Sequence, residues 1–259
     1  MNFLDKVDAA QLKNNSLVCV GLDPDPAKLP KKLSIFQFNK LIIDQTADLV
    51  CCYKPQIAFY AASGIQGLAD LQKTIIYIKD KYQIPVILDA KRGDIGNTSQ
   101  MYAKEVFDVF DADAVTVNPY CGFDSMLPFL ERKERGVIVI CRTSNNGAID
   151  FQDLRVNREP LYLKVGRKIL TWSKKYPNIM LEIGSTWPKE IYILRKIAPK
   201  IVFLIAGIGA QGGDLKLTLK NGLRDDKKGL IISASRSIIY AQDPRNSAQA
   251  LRDEINRYR

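Results

Sequence analysis

Three charged side chains follow an apolar run closely enough to do chemistry together. Asp89 and Lys91 are two residues apart, and Asp94 comes within one further turn. Residues two apart in an extended chain point to the same face, so Asp89 and Lys91 are predicted neighbours, with Ala90 opposite. A structural ion pair at a sheet or barrel edge is one interpretation. An active site is favoured, because such clusters are costly unless paired or used, and they gather at functional sites.

The composition limits the chemistry that is available. The 259 residues carry 38 Lys and Arg against 28 Asp and Glu, and they contain no histidine. The usual neutral-pH base, the Ser-His and Cys-His pairs and the commonest metal ligand are therefore missing. The basic residues are dispersed rather than gathered in one stripe. This pattern favours a surface that attracts anionic small molecules over a nucleic-acid-binding module.

Neither a secretory signal nor a membrane span is indicated by the sequence. The N-terminal residues 1–6 lack an apolar run behind a basic start, and every later apolar stretch is too short to cross a bilayer. A cytoplasmic protein that does not bind membranes is expected. The five cysteines show no metal-type spacing, and four of them lie in or beside apolar runs. They are predicted to be reduced core residues, and they are Cys19, Cys51, Cys52, Cys121 and Cys141.

Short apolar runs alternate with segments of helical periodicity along the whole chain. The predicted strands are 16–23, 53–55, 85–89, 114–119, 136–143, 179–184, 201–207 and 229–236. Continuous apolar strands alternating with helices, without a linker-like break, predict a single-domain α/β fold over residues 1–259, a parallel (β/α)8 TIM barrel. An open doubly wound sheet is the competing architecture.

The positions of the polar residues favour the barrel. They fall at or just after the C-terminal ends of the predicted strands, where barrels of this kind build their sites. These residues are Asp23, Lys54, Asp89, Lys91, Asn118, Thr143, Ser144, Ser185 and Arg236.

A glycine-rich segment over residues 207–214 follows the seventh predicted strand. Its backbone N–H groups could hold an anion at a helix N-terminus, and Arg236 after the eighth strand could add a forked cation. The segment also matches the G-x-G-x-x-G dinucleotide pattern, which would suit a nicotinamide-dependent dehydrogenase. That pattern belongs in the first βα unit, however, so a phosphate site is preferred. A tight turn without a ligand is the remaining alternative.

Taken together, these blocks resemble one family. Residues 89–94 match the D-x-K-x-x-D signature of orotidine 5′-phosphate decarboxylases, and residues 207–214 with 235–237 match the phosphate end of that family. The blocks at 20–23, 53–55, 117–120 and 142–145 also resemble it, in order and over nearly the whole chain. The similarity is greatest to the longer bacterial subfamily.

The resemblance implies a reaction and the residues at its centre. Orotidine 5′-phosphate would lose carbon dioxide to give uridine 5′-phosphate, without a metal or an organic cofactor. Lys91 would protonate C6 of the pyrimidine, and Asp89 would face the substrate carboxylate. Asp94, together with Thr98, would reach into the site of the neighbouring subunit in a homodimer.

The resemblance also implies how the nucleotide is held. Lys54 and Asp23 would hold the charge network and the ribose hydroxyls, and Ser144 would read the pyrimidine. The other substrate-binding residues implied, most of them at the phosphate, are Asn118, Gly207, Gly209, Gln211, Gly212 and Arg236.

Three residues depart from the family pattern. Ala206 stands where proline commonly precedes the glycine-rich loop, Asn146 where proline commonly follows the Ser-Asn pair, and Ser235 where relatives can have glycine. These departures concern loop rigidity and phosphate affinity. A sugar-phosphate lyase of the same barrel group, which should need a divalent metal, shares D-x-K-x-x-D and is the nearest alternative.

Overall fold

Eight parallel strands form one sheet that curls into a barrel, in a computed structural model that describes residues 1–30, 32–208 and 212–259. The strands are β1 (Val18–Leu22), β2 (Cys52–Pro55), β3 (Ile87–Arg92), β4 (Ala114–Val117), β5 (Gly136–Arg142), β6 (Ile179–Gly184), β7 (Phe203–Ala206) and β8 (Leu230–Ala234). Their order around the sheet is β2-β1-β8-β7-β6-β5-β4-β3.

Backbone contacts between β2 and β3 join the two edges of this sheet. Tyr53 pairs with Val86 and Gln56 with Asp89, both in parallel, and Tyr53 N donates to Pro85 O at 3.1 Å. The predicted (β/α)8 barrel is confirmed, and the open doubly wound sheet is wrong. Several predicted strand bounds differ from the observed ones by up to three residues, and β3, for example, continues to Arg92 instead of stopping at Asp89.

Most of the helices follow the strands and cover the outside of the barrel, whereas the first one precedes β1. They are α1 (Phe3–Lys13), α2 (Ile35–Thr46), α3 (Ile57–Ala61), α4 (Gly64–Tyr82), α5 (Gly96–Lys104), α6 (Phe123–Leu130), α7 (Ile149–Gln152), α8 (Leu161–Ser173), α9 (Pro188–Ile197), α10 (Leu215–Gly222), α11 (Arg236–Ile239) and α12 (Pro244–Asn256). A π-helical turn, Glu105–Val109, extends α5, and a small hairpin pairs Arg155–Val156 with Glu159–Pro160. None of the described helices is both long and apolar enough to cross a bilayer.

The lower half of the barrel interior is apolar and is closed by α1. Phe3, Val7 and Ala10 of α1 are buried against the inward-facing side chains of the strands. These inward-facing residues are Cys19, Cys52, Ile87, Ala114, Ile138, Met180, Leu204 and Ile231. Because side chains alternate along a strand, the residues two positions further on face the same interior, nearer its C-terminal mouth.

Four of the five cysteines are buried, as predicted from their apolar neighbours, but the prediction of a core position is wrong for Cys121, which is exposed in the turn after β4. All five are free thiols.

Candidate active site

A buried carboxylate pairs with two lysines in the layer of side chains just above the apolar inner layer of the barrel. Asp89 Oδ2 accepts a hydrogen bond from Lys54 Nζ at 2.7 Å, and Asp89 Oδ1 accepts one from Lys91 Nζ at 2.6 Å. Thr116 Oγ1 donates to the same Oδ1 at 2.8 Å. The pairing of Asp89 with Lys91 that the two-residue spacing predicted is present, and Lys54 of the neighbouring strand completes the group.

The strands place these side chains without help from loops. Lys54 follows Cys52 by two positions on β2, Asp89 follows Ile87 on β3, and Thr116 follows Ala114 on β4. Each apolar partner belongs to the inner layer, so each polar residue faces the interior one layer higher. The charged group therefore rests on a rigid scaffold at the mouth of the barrel.

Lys91 has an unusual backbone conformation. Its φ is +48°, in the left-handed region that side chains other than glycine rarely adopt, and the pairing of β3 with β4 shifts register between Leu88 and Arg92. Lys91 N donates to Thr116 Oγ1 at 3.0 Å, which fixes this conformation. Backbone strain held in place by surrounding contacts is typical of functional positions.

The electrostatic environment keeps Asp89 and Lys54 charged. Burial alone would raise the pKa of the Asp89 carboxyl, but the ammonium groups of Lys54 and Lys91 hold that pKa well below its usual range. Burial likewise opposes the charge on Lys54, yet the carboxylates of Asp89 and Asp23 outweigh it and raise the Lys54 pKa above its ordinary value. The site is therefore a fixed arrangement of paired charges.

The two lysines differ in access. The Lys54 side chain is 8% exposed, whereas that of Lys91 is 39% exposed. A ligand that enters the mouth of the barrel can reach Lys91, while Lys54 lies beneath it as a support for Asp89.

A second carboxylate reaches Lys91 from the far wall of the barrel. Glu182 on β6 is buried, and its Oε1 lies 3.8 Å from Lys91 Nζ. The sequence predictions did not include Glu182. The single acidic residue within the apolar run 179–184 was the available signal.

The other residues predicted at the mouth make no hydrogen bond or ion pair with this group in the described part of the chain. Asp94 Oδ1 accepts from Ile95 N at 2.8 Å, and Asn118 Oδ1 accepts from Tyr120 N at 3.0 Å. Thr98 is exposed on α5. Asp23 follows β1, and its negative charge, after that of Asp89, helps to raise the pKa of Lys54.

Ser144 lies in the loop after β5, directly against β6. A Cβ on Gly184 would come within 2.6 Å of Ser144 Cα and 2.7 Å of Ser144 N, so only glycine permits this approach. Thr186 Oγ1 donates to Ser144 O at 3.1 Å, and Trp187 Nε1 donates to Thr143 O at 2.7 Å. The first residues of the loop that follows β6 therefore fix the position of Ser144.

Arg142 anchors the same loop from below and was not predicted. Its guanidinium is fully buried, lies 4.0 Å from the centre of the Trp187 ring, and donates to Asp153 Oδ2 at 3.1 Å. Gln152 holds the next residue, because its Oε1 accepts from Thr143 N at 2.9 Å. An arginine that ends an apolar strand was the signal in the sequence.

The glycine-rich segment follows β7, beside the residues that follow β8. Gly207 and Gly212 have φ of +91° and +76°, which glycine adopts without strain. Arg236 is exposed at the start of α11. The predicted ligands Gly209 and Gln211 lie outside the described residues.

Two buried hydroxyl groups follow β6 and β8, the strands on either side of β7. Ser185 Oγ and Ser235 Oγ have no hydrogen-bond partner among the described residues. A Cβ on Gly213 would meet Ser185 Oγ, and one on Gly21 would lie 2.7 Å from Ser235 Cβ, so both serines sit against glycine backbone. These unpartnered hydroxyls and the exposed guanidinium of Arg236 at the start of α11 suit an anion at this edge of the barrel mouth.

Comparison with known proteins connects this geometry to a family. Residues 16–251 match the family model described as "Orotidine 5'-phosphate decarboxylase / HUMPS family". The chain belongs to this family.

Relatives and solved structures in the decarboxylase family cover essentially the whole chain. An orotidine 5′-phosphate decarboxylase of Cellvibrio japonicus is 50% identical over 97% of this chain and 94% of its own. One from Ralstonia nicotianae is 48% identical over the full length of both chains. The structure of Leishmania donovani OMP decarboxylase superposes with a TM-score of 0.92 at 38% identity, covering 100% of this chain and 99% of that one. The family resemblance drawn from the sequence blocks is confirmed.

Within the orotidine 5′-phosphate decarboxylase / HUMPS family fold, the three departures occupy distinct places. Ala206 ends β7, and Asn146 begins a short 3₁₀ turn, Asn146–Ala148. Ser235 follows β8 and packs on Gly21. Within the described part of the chain, none of the three contacts Asp89 or its lysines by a hydrogen bond. The departures therefore leave the charged group intact.

Proposed function

We propose that this protein is an orotidine 5′-phosphate decarboxylase, which converts orotidine 5′-phosphate to uridine 5′-phosphate and carbon dioxide. The observation that carries the proposal is the Lys91 ammonium, held on a buried, ionised Asp89 at the barrel mouth in a chain of this family. The alternatives of a dehydrogenase and a nucleic-acid-binding module lose their support, because the glycine-rich segment follows β7 of a barrel that belongs to this family.

The chemistry requires a positive charge close to C6 of the pyrimidine. Departure of carbon dioxide leaves an electron pair in the ring plane, where the ring carbonyls cannot delocalise it. A preorganised ammonium beside that carbon stabilises the charge as it develops and then supplies the proton. Lys91 suits both tasks because its side chain is partly exposed, whereas Lys54 is enclosed beneath it.

The remaining residues of the site hold the nucleotide in this proposal. Asp89 faces the substrate carboxylate, Lys54 and Asp23 hold the charge network and the ribose hydroxyls, Ser144 reads the pyrimidine, and Asn118 is a further substrate-binding residue. The 5′-phosphate binds at Gly207, Gly212 and Arg236, and Gly209 and Gln211, which lie outside the described residues, are its further proposed ligands. Binding energy from the distant phosphate then positions C6 against Lys91. The reaction needs neither a metal nor an organic cofactor.

The direct test is loss of orotidine 5′-phosphate absorbance with purified protein in the presence of a chelator. We expect full turnover, because the ammonium of Lys91, rather than a metal ion, stabilises the developing negative charge. A sugar-phosphate lyase of the same barrel group should need a divalent metal, so it would leave orotidine 5′-phosphate unchanged and lose its own activity to the chelator. That result would refute the proposed reaction.

We further propose a homodimer in which Asp94 and Thr98 complete the neighbouring subunit's site. Asp94 makes no ion pair within the described chain, and two apolar side chains near it, Ile95 and Met101, are 61% and 55% exposed. Such an exposed apolar surface beside a polar site is typical of a subunit interface.

Subunit mixing tests the shared site. Lys91→Met and Asp94→Ala proteins should each be inactive alone. A hybrid dimer would contain one intact site, because Lys91 comes from one chain and Asp94 from the other. After random 1:1 exchange, activity should recover to about one quarter of wild type. Recovery to no more than the sum of the two separate variants would contradict a shared site.

The proposed working unit is the whole chain, residues 1–259, as one barrel domain in the cytoplasm. Fractionation of cells that produce the protein would test the location.

A further inference from the structure

Glu182 is a buried carboxyl whose second oxygen has no hydrogen-bond partner among the described residues. It lies two positions after Met180 of the apolar inner layer, so it faces the interior at the level of the charged group. Its Oε1 is 3.8 Å from Lys91 Nζ, while Oε2 is buried and unbonded within the described structure. An unsatisfied buried carboxylate oxygen is costly, and it needs an explanation.

Among the residues that the structure describes, the charges around Glu182 come from two strands. Asp89 and Lys91 face it from β3, and Lys54 faces it from β2. Its paired neighbours, Ile140 on β5 and Leu204 on β7, carry no titratable group. Arg142, at the end of β5, turns outward to the Trp187 ring and Asp153.

In these surroundings the neutral form of Glu182 is more favourable than the neutral form of a solvent-exposed carboxyl. Burial, reinforced by the negative charge of Asp89, raises the pKa of Glu182, and only the more distant lysines oppose the shift. Asp89 already accepts hydrogen bonds from both ammonium groups at 2.6–2.7 Å. Glu182 therefore receives little of the positive charge, and a further anion in the site would make its ionised form less favourable still.

The proposed substrate brings such an anion, since its carboxylate at C6 must enter beside Lys91. Building on the proposed function, we propose that Glu182 is an ionised positioning residue for Lys91 in the free protein and takes up one proton when a nucleotide with an anionic group at C6 binds. The proton comes from solvent and is held on the Glu182 carboxyl. No bond to the substrate forms or breaks in this step.

Linkage gives the proposal a measurable sign. Where free Glu182 is ionised, binding that takes up one proton weakens by about tenfold for each unit rise in pH. A Glu182→Gln variant keeps the size and polarity of the side chain but cannot be ionised. Its affinity should lose this pH dependence, so that at alkaline pH it binds the C6-anionic nucleotide more tightly than wild type does.

Isothermal titration calorimetry in Tris and in HEPES, which differ in ionisation enthalpy, counts the protons taken up. The ligands are uridine 5′-phosphate and its analogue with an ionised oxygen at C6. Both carry the same 5′-phosphate, so the difference between them removes proton changes at that group. We expect wild type to take up about one more proton with the analogue at alkaline pH, and Glu182→Gln to show no such difference.

Two further variants control for structural effects. Glu254→Gln, on the exposed face of α12, should behave as wild type. Glu182→Val, which suits an apolar strand, should behave as Glu182→Gln. Equal proton uptake in wild type and Glu182→Gln would overturn the inference even if orotidine 5′-phosphate is consumed. Failure to consume orotidine 5′-phosphate would instead refute the proposed function.

Discussion

Replacement of Lys91 by methionine removes the ammonium while keeping a side chain of similar length. The charge that is lost belongs to Lys91 Nζ, which donates a hydrogen bond to Asp89 Oδ1 at 2.6 Å. An ammonium about 3 Å from charge developing at C6 stabilises it by about 5.5 kcal/mol at an effective dielectric constant of about 20. At about 1.36 kcal/mol for each factor of ten, this corresponds to a rate effect of about 10⁴. Loss of the proton donor adds a factor of about 10² to 10⁴.

We therefore expect kcat/KM of Lys91→Met, measured by loss of orotidine 5′-phosphate absorbance, to fall by at least about 10⁴-fold. The protein should still fold, because Asp89 keeps its bonds to Lys54 and Thr116. Circular dichroism, thermal unfolding and calorimetric binding of uridine 5′-phosphate check this. Lys168→Met, at an exposed position on α8, is the matched control and should retain wild-type activity.

The reasoning is refuted by a folded Lys91→Met protein that keeps its activity within about tenfold of wild type. In that case the ammonium would neither stabilise the developing charge nor supply the proton. A loss shared equally by Lys168→Met would point instead to a general effect of surface charge on substrate capture.

Three other perturbations have predicted outcomes. Gly184→Ala should lower the free energy of unfolding by about 1–3 kcal/mol and weaken nucleotide binding, because its Cβ would displace the Ser144 backbone. Gly147→Ala is the control, since a Cβ has room there, and it should change neither quantity. Denaturant titration measures the unfolding free energy, and calorimetry measures the binding. Phe3→Ala should cost about 3–5 kcal/mol in denaturant unfolding, with kcat/KM unchanged, since Phe3 fills the end of the barrel away from the site. The pKa of Asp89 is lowered by folding, so its ionisation stabilises the protein above the ordinary carboxyl pKa, and this stabilisation is lost as pH falls below about 4. The difference in unfolding free energy between wild type and Asp89→Asn should therefore be largest near neutral pH and shrink in acid.

The barrel could be predicted from the sequence because its strands are buried on both faces. Each strand is then a continuous apolar run, and the polar residues that end the runs mark the mouth. Residues 179–184 form the sixth strand with the predicted bounds. The pairing of Asp89 with Lys91 follows from their spacing, and it is present.

The same property concealed Glu182. A strand buried on both faces shows no alternation of polar and apolar residues, so the sequence does not reveal which face carries its one carboxylate. Met180, two positions earlier, identifies the face only once the inner layer is known. The left-handed backbone of Lys91 was equally hidden, because it depends on the register shift against β4 and on the bond to Thr116.

Helix α1 was not predicted, although Phe3, Val7 and Ala10 have the i, i+4, i+7 spacing of a helical face. Their role depends on the open end of the barrel that they fill. The capping box of Asn2 and Asp5 was the local signal for the start of this helix.

The most direct test of the central claim is a crystal structure with bound uridine 5′-phosphate that carries an ionised oxygen at C6. We predict that Lys91 Nζ lies within hydrogen-bonding distance of that oxygen while it still contacts Asp89, with the phosphate at Gly207, Gly212 and Arg236. A Lys91 amine turned out of the cavity, or a phosphate at the opposite rim of the barrel, would contradict the account.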